Sequence, residues 1–235
     1  MMKEEIIKYT VDIDSMDKII PIELIYHPLF DKKTIQNLIN PYDIKVLFGR
    51  KQEKVMIGQD KNKDYYIINP YVIKDFKNVS YIKILNCVFP RFYNTVKFNE
   101  FQSVKSDVLS QRFIIMRLEL NNNSLIYSTN SSFNGDYIKL KVKYAPNEND
   151  KYLILEPLFQ DKPFYFKSGN LKNIDRINIK FYDDEFNPII LNFDYFINDD
   201  KKDKNLIKQF IKDYAVNINI EIGCYENNMV IPNDY

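Results

Sequence analysis

Tryptophan is absent from this chain of 235 residues, histidine occurs once, cysteine twice and glycine five times. Each scarcity removes a class of chemistry. With a single imidazole, His27 in IYHPLF, any Ser-His-Asp or Cys-His arrangement would have to use that one residue. Apolar neighbours and the following Pro28 mark it as a strand-end or loop residue rather than a catalytic base. With no second histidine and no cysteine near it in sequence, a histidine-based metal site lacks its ligand set. Cys87 and Cys224 are too few for a disulfide framework and too far apart for a metal-binding pair. Both sit in apolar, strand-like runs and read as buried free thiols of a reducing compartment. So few glycines leave no glycine-rich phosphate cradle.

An excess of one charge is missing too. The 33 Lys and Arg residues face 32 Asp and Glu residues, for a net charge of +1. Nucleic-acid binders draw most of their affinity from phosphate neutralisation, so this balance argues against DNA or RNA as the main partner. No window approaches the roughly 18 apolar residues of a membrane span, and the opening MMKEEIIKYTVDID lacks the form of a signal peptide. The expectation is a soluble protein made in a reducing cytoplasm, with contact to a membrane surface left open.

What is abundant is aromatic: 18 Tyr and 17 Phe, 15% of the chain. Most apolar runs are short, β-branched or aromatic, and bounded by Asn, Asp, Pro or Gly, which is the pattern of strands. Residues 81–89 read as one strand and 113–120 (FIIMRLEL) as another. Residues 137–144 (YIKLKVKY) alternate cleanly, with Ile138, Leu140 and Val142 opposite Lys139, Lys141 and Lys143. A strand at 152–158 follows. Residues 173–182 (NIDRINIKFY) predict a hairpin with 189–193 (IILNF) across the turn 183–188, and 216–222 (VNINIEI) is the cleanest alternation of all. Such strands indicate a mainly β fold, either a sandwich of two packed antiparallel sheets or a barrel. One segment differs: 202–214 places Leu206, Ile207, Phe210, Ile211 and Tyr214 on one helical face, with Asp203 as its N-cap, just before the last strong strand. The first 60 or so residues are less regular, with a helical turn at 34–39 and strands at 44–48 and 54–57. The charged stretch 60–64 is the expected boundary between an N-terminal extension, 1–64, and a sandwich over 65–235.

Two places attract attention as sites. Asp183, Asp184 and Glu185 form the densest acidic cluster, but DDEFNP has the composition of a turn between strands and lacks the alternate spacing and glycine of a calcium loop. The other is YIKILNCVFPRFYN at 81–94. Pro90 cannot donate to a β-ladder, so the strand is expected to stop there, with Arg91, Phe92 and Tyr93 in a rigid corner that Asn94 closes. An aromatic-basic knuckle on a fixed backbone suits packing against another subunit, and Pro90, Arg91, Phe92 and Tyr93 are the candidate interface residues. The N-terminal region through Phe30 is the second candidate docking segment. Tyr and Phe interleaved with Lys suit core and interface packing better than base stacking, since no RNA-recognition signature accompanies them. No catalytic residue, metal or cofactor is expected.

Three segments, NCVFPRFYN, FIIMRLELNNNSLIYSTN and LKNIDRINIKFYDDEFNPI, resemble a pattern in capsid-associated jelly-roll proteins of large nucleocytoplasmic DNA viruses. The resemblance covers about residues 69–191 and departs from the pattern at Asn187, where a glycine is common and where Asn tolerates the same left-handed backbone. It implies a single jelly roll acting as a penton or minor capsid protein. Its partners would be further copies of itself, as a homo-pentamer, and the major capsid protein, and its location the virion capsid. A jelly-roll module binding a glycan or nucleic acid in its loops is the alternative, and an enzyme is the least favoured class.

Overall fold

The structure, a computed structural model, describes residues 5–21, 23, 30–49, 52–60, 63–96, 103–120, 137–144, 146–147, 149–158, 164–165, 171–191 and 204–226. In chain order, β1 (Glu5–Asp14) is followed by α1 (Lys32–Ile39), β2 (Asp43–Phe48), and a hairpin of β3 (Lys54–Asp60) and β4 (Lys63–Ile68). Then come β5 (Tyr71–Val72), the 15-residue β6 (Phe76–Pro90), β7 (Phe92–Val96), β8 (Ser103–Asp107) and β9 (Ile114–Leu120). β10 (Tyr137–Val142), β11 (Tyr152–Pro157), β12 (Phe164–Tyr165), β13 (Leu171–Ile174), β14 (Arg176–Tyr182) and β15 (Ile189–Ile190) lead to α2 (Lys204–Asp213) and β16 (Asn217–Glu226). The protein is mainly β, and among the described residues its strand pairs are antiparallel except β2 with β5.

The main sheet runs β1-β16-β6-β11-β10-β9-β14-β2-β5, with β12 and β13 also on β6. β6 is its spine: one edge pairs with β16, the other with β13, β12 and β11 in turn. The two ends of this sheet face each other in a sandwich-like arrangement. Phe76 of β6 meets Phe48 of β2 at 5.4 Å between ring centroids, and Phe89 of β6 meets Phe181 of β14 at 5.2 Å. Strand alternation supplies the core between them, since Ile218, Ile220 and Ile222 of β16 and Ile177 and Ile179 of β14 are all fully buried. A smaller sheet, β15-β7-β8, extends one end.

Both helices form on amphipathic sequence. The Asp31 carboxylate caps α1 by accepting from Thr34 N at 2.6 Å. Ile35 and Ile39 of α1 and Ile207 of α2 bury with Leu191 in a satellite cluster beside the main core. The helix expected before the last strand is thus α2; its proposed cap, Asp203, lies outside the described residues.

Three expectations change. The first 64 residues are no separate extension, because β1 pairs with β16 over all ten of its residues and β2 gives Ile44, Val46 and Phe48 to the common core. Within the charged stretch at 60–64, Asp60 ends β3 and pairs with Lys63 at the start of β4, so paired strand residues stand where a boundary was expected. The strand at 173–182 breaks at Asp175 into β13, on β6, and β14, between β9 and β2. The hairpin after β14 extends only to a single bridge between Tyr182 and Pro188. Pro188 has no N–H to continue that ladder, and β15 joins β7 instead.

Gly223 sits opposite Tyr81 beside a register shift in β16, and a Cβ there would lie 2.2 Å from Tyr81 Cε1. The Tyr81 hydroxyl donates to Glu221 Oε1 at 2.8 Å, which pins the ring. Gly223→Ala is expected to destabilise the fold by about 1–3 kcal/mol through overpacking, read as a lower urea midpoint at unchanged slope.

The candidate interface corner

β6 continues through Pro90, and the chain bends at Arg91 directly into β7 of the second sheet. Arg91 is fixed on three sides. Its N–H donates to Lys151 O at 2.8 Å, its carbonyl accepts from Val108 N at 2.9 Å, and its Nε donates to Asp107 Oδ2 at 3.2 Å. The other Asp107 oxygen accepts from Leu109 N at 2.9 Å, so the carboxylate ties the corner to the turn after β8. Phe92 is 41% exposed. Its ring lies 5.2 Å from the Arg91 guanidinium and 4.7 Å from Lys105 Nζ, so cations flank the exposed ring.

Tyr93 is different. It is 0% exposed, packs edge-on against Phe89 at 6.1 Å, and belongs to the main core. Neighbours along a strand point to opposite faces, so β7 cannot present both rings to a partner. Pro90 is also buried. Of the four candidate interface residues, Phe92 offers exposed apolar surface, Arg91 is largely engaged with Asp107, and Pro90 and Tyr93 serve the monomer. Asn94 does not close a turn; it is a buried β7 residue paired with Ile190 and Lys105. The Tyr93 hydroxyl is buried with no hydrogen-bond partner. Burial first, and then the nearby carboxylates of Asp183, Asp184 and Asp107, push its pKa well above the ordinary tyrosine value.

Two of those carboxylates, Asp183 and Asp184, belong to the acidic cluster. Asp183, 5% exposed, accepts from Glu185 N at 3.0 Å, from Asn187 N at 2.8 Å and from Asn187 Nδ2 at 2.8 Å. Asp184 accepts from Arg112 N at 3.2 Å and Nε at 3.0 Å. The acids build and anchor a turn, as its composition indicates. Among the described residues no group of three or more His, Cys, Asp or Glu is placed to hold a metal ion. The left-handed residue is Phe186, at φ +65°, rather than Asn187. Asn187 is committed to Asp183 through backbone and side chain, which leaves Phe186 to absorb the reversal.

Phe186 is also what sequence reasoning missed. Its ring meets Tyr137 at 5.3 Å, and Tyr137 meets Tyr182 at 6.2 Å, on the solvent-facing side of β10 and β14. Arg117 stacks over Tyr137 at 5.7 Å, and Lys139 over Phe113 at 4.4 Å. The legible signal was Tyr182, an aromatic at an outward position of an otherwise alternating strand. At the other end of β6 a cleft of about 380 Å³ opens among Tyr9, Lys74, Asn78 and Tyr225. Cys87 and Cys224 are buried, and burial pushes the Cys87 thiol far above its ordinary pKa. His27 and, of the N-terminal docking candidate, residues 1–4, 22 and 24–29 lie outside the described residues. No family model matches the chain, and no curated protein matches it in sequence.

Proposed function

We propose that this chain is a non-enzymatic structural subunit of a large DNA virus capsid, the penton protein of the five-fold vertex, its sandwich a single jelly roll. One observation carries the reading: the three sequence segments that resemble such proteins meet in the fold. Phe89 of the first packs against Phe181 of the third at 5.2 Å between ring centroids, and Asn94, its last residue, pairs with Ile190, just past the end of the third. Ile115 through Leu120 of the second pair with Tyr182 through Ile177 of the third. The pattern therefore describes one contiguous piece of surface and core, and Phe92 stands exposed on it. An aromatic ring on a rigid backbone, flanked by cations, is the kind of anchor that dominates subunit contacts at low ordering cost.

Native mass spectrometry of the purified chain is expected to give a closed five-membered ring. Phe92→Ala should weaken that association by about tenfold or more while leaving the melting of the monomer nearly unchanged. Copies found away from the five-fold vertices of a purified particle would make the chain a minor capsid protein. A chain that stays monomeric and binds an oligosaccharide would overturn the subunit reading.

A further inference from the structure

The near-zero net charge conceals a separation. On the outward positions of β2, β14, β9 and β10 stand Lys45, Arg176, Lys180, Arg117, Lys139 and Lys141, against four acids that pair with them, Asp43 and Glu119 on the same strands and Glu53 and Glu156 beside them. On the outward positions of β1 and β16, together with the 3-10 turn Ser15–Asp17, stand Asp12, Asp14, Asp17 and Glu221, against Lys8 and, opposite Glu221 on β6, Lys83. These groups of strands pack their inner faces on each other, so the basic and acidic surfaces lie on opposite sides of the sandwich.

The geometry points to a head-to-tail contact in which the basic face of one copy docks on the acidic face of the next. This rests on the reading of the chain as a self-assembling subunit, and names the surfaces through which copies meet. Charge complementarity selects a second copy as the occupant, because each face finds its opposite on the same molecule. A heterologous contact of this kind closes into a ring when its rotation allows.

The basic face has the anatomy of an interface. Tyr137, Tyr182 and Phe186 form its apolar centre, with cations around them, and the Asp183 turn fixes Phe186 before any partner arrives. On the acidic face like charges crowd: burial, then Asp14 and Asp12, raise the Asp17 pKa above the ordinary carboxylate value. A cationic partner relieves that repulsion.

Paired charge reversals test this. Lys45→Glu with Lys139→Glu abolishes the positive excess of the basic face, and Asp12→Lys with Asp17→Lys reverses the negative excess of the acidic one. All four side chains are at least partly exposed, and circular dichroism melting checks that each variant folds. In sedimentation at about 0.05 M salt, each variant alone should self-associate about tenfold or more weakly than the natural sequence, and an equimolar mixture of the two should recover association. Raising salt to about 0.5 M should dissociate the natural oligomer. Undiminished self-association of either variant, or a mixture no better than its parts, overturns the contact. A natural chain that remains monomeric at low salt overturns it as well. If the mixture rescues association but the oligomer is not a five-membered ring, the face contact stands and the penton reading falls. If a reversed variant still enters vertices normally, the reverse holds.

Discussion

Tyr93→Ala is expected to cost the isolated subunit about 3–5 kcal/mol, while Tyr93→Phe leaves its stability unchanged or raises it. The two outcomes come from different parts of one side chain. The ring is fully buried, in contact with Phe89, which in turn meets Tyr42 at 5.4 Å and Phe181 at 5.2 Å. Truncation opens a cavity in the middle of that aromatic group, and neighbours fixed in strands collapse into it only partly. The hydroxyl contributes nothing to offset its own desolvation, since it is buried without a partner beside three carboxylates. Removing it alone relieves that penalty. Phe92→Ala, one residue earlier, is expected to change monomer stability by less than about 1 kcal/mol, because the ring is largely on the surface. Urea unfolding of the three variants separates the roles. Equal losses for Phe92→Ala and Tyr93→Ala would mean that the corner acts as one unit of core; a loss on Tyr93→Phe would mean that the hydroxyl is bonded in solution.

That contrast shows where sequence reading stops. The strand through VFP and the exposed aromatic after it were legible from Pro90 and the pattern around it. Which of two adjacent rings faces inward was not, because it depends on β7 belonging to a second sheet, and that membership comes from β8 and from β15, the latter nearly a hundred residues away. Strong local period made β16, β14 and α2 readable. The first 60 or so residues looked irregular in part because β1 alternates charged and apolar residues at an edge, and only pairing with β16 reveals it as part of the core sheet. The opposed charge of the two outer faces was hidden for the same reason: residues interspersed along the chain separate only after the sheet places them. The acidic turn was read correctly as a turn, yet its strained member was misplaced. Local preference favours Asn for a left-handed backbone, and the hydrogen bonds of Asn187 to Asp183 overrode it.

Asp183→Ala is therefore expected to cost about 2–4 kcal/mol and to release the basic face as well as the fold. The carboxylate accepts from two backbone N–H groups and from the Asn187 amide, itself 7% exposed, so its loss leaves buried donors without partners. It also removes what holds Phe186 in a conformation that costs a bulky residue on the order of 1–3 kcal/mol. Once Asn187 is free, the turn is expected to relax, Phe186 to leave Tyr137, and the apolar centre of the basic face to be lost. Asp183→Asn keeps one acceptor but sets an amide N–H₂ against that of Asn187, so it should lie between the natural residue and alanine. Because the chain has no tryptophan, its near-ultraviolet dichroism reports tyrosine and phenylalanine packing directly. Asp183→Ala should lose part of that signal below the unfolding midpoint, together with self-association. An unchanged spectrum and midpoint would mean that β-ladder pairing alone sets the turn, and that the strain at Phe186 is maintained by Tyr137 rather than by Asp183.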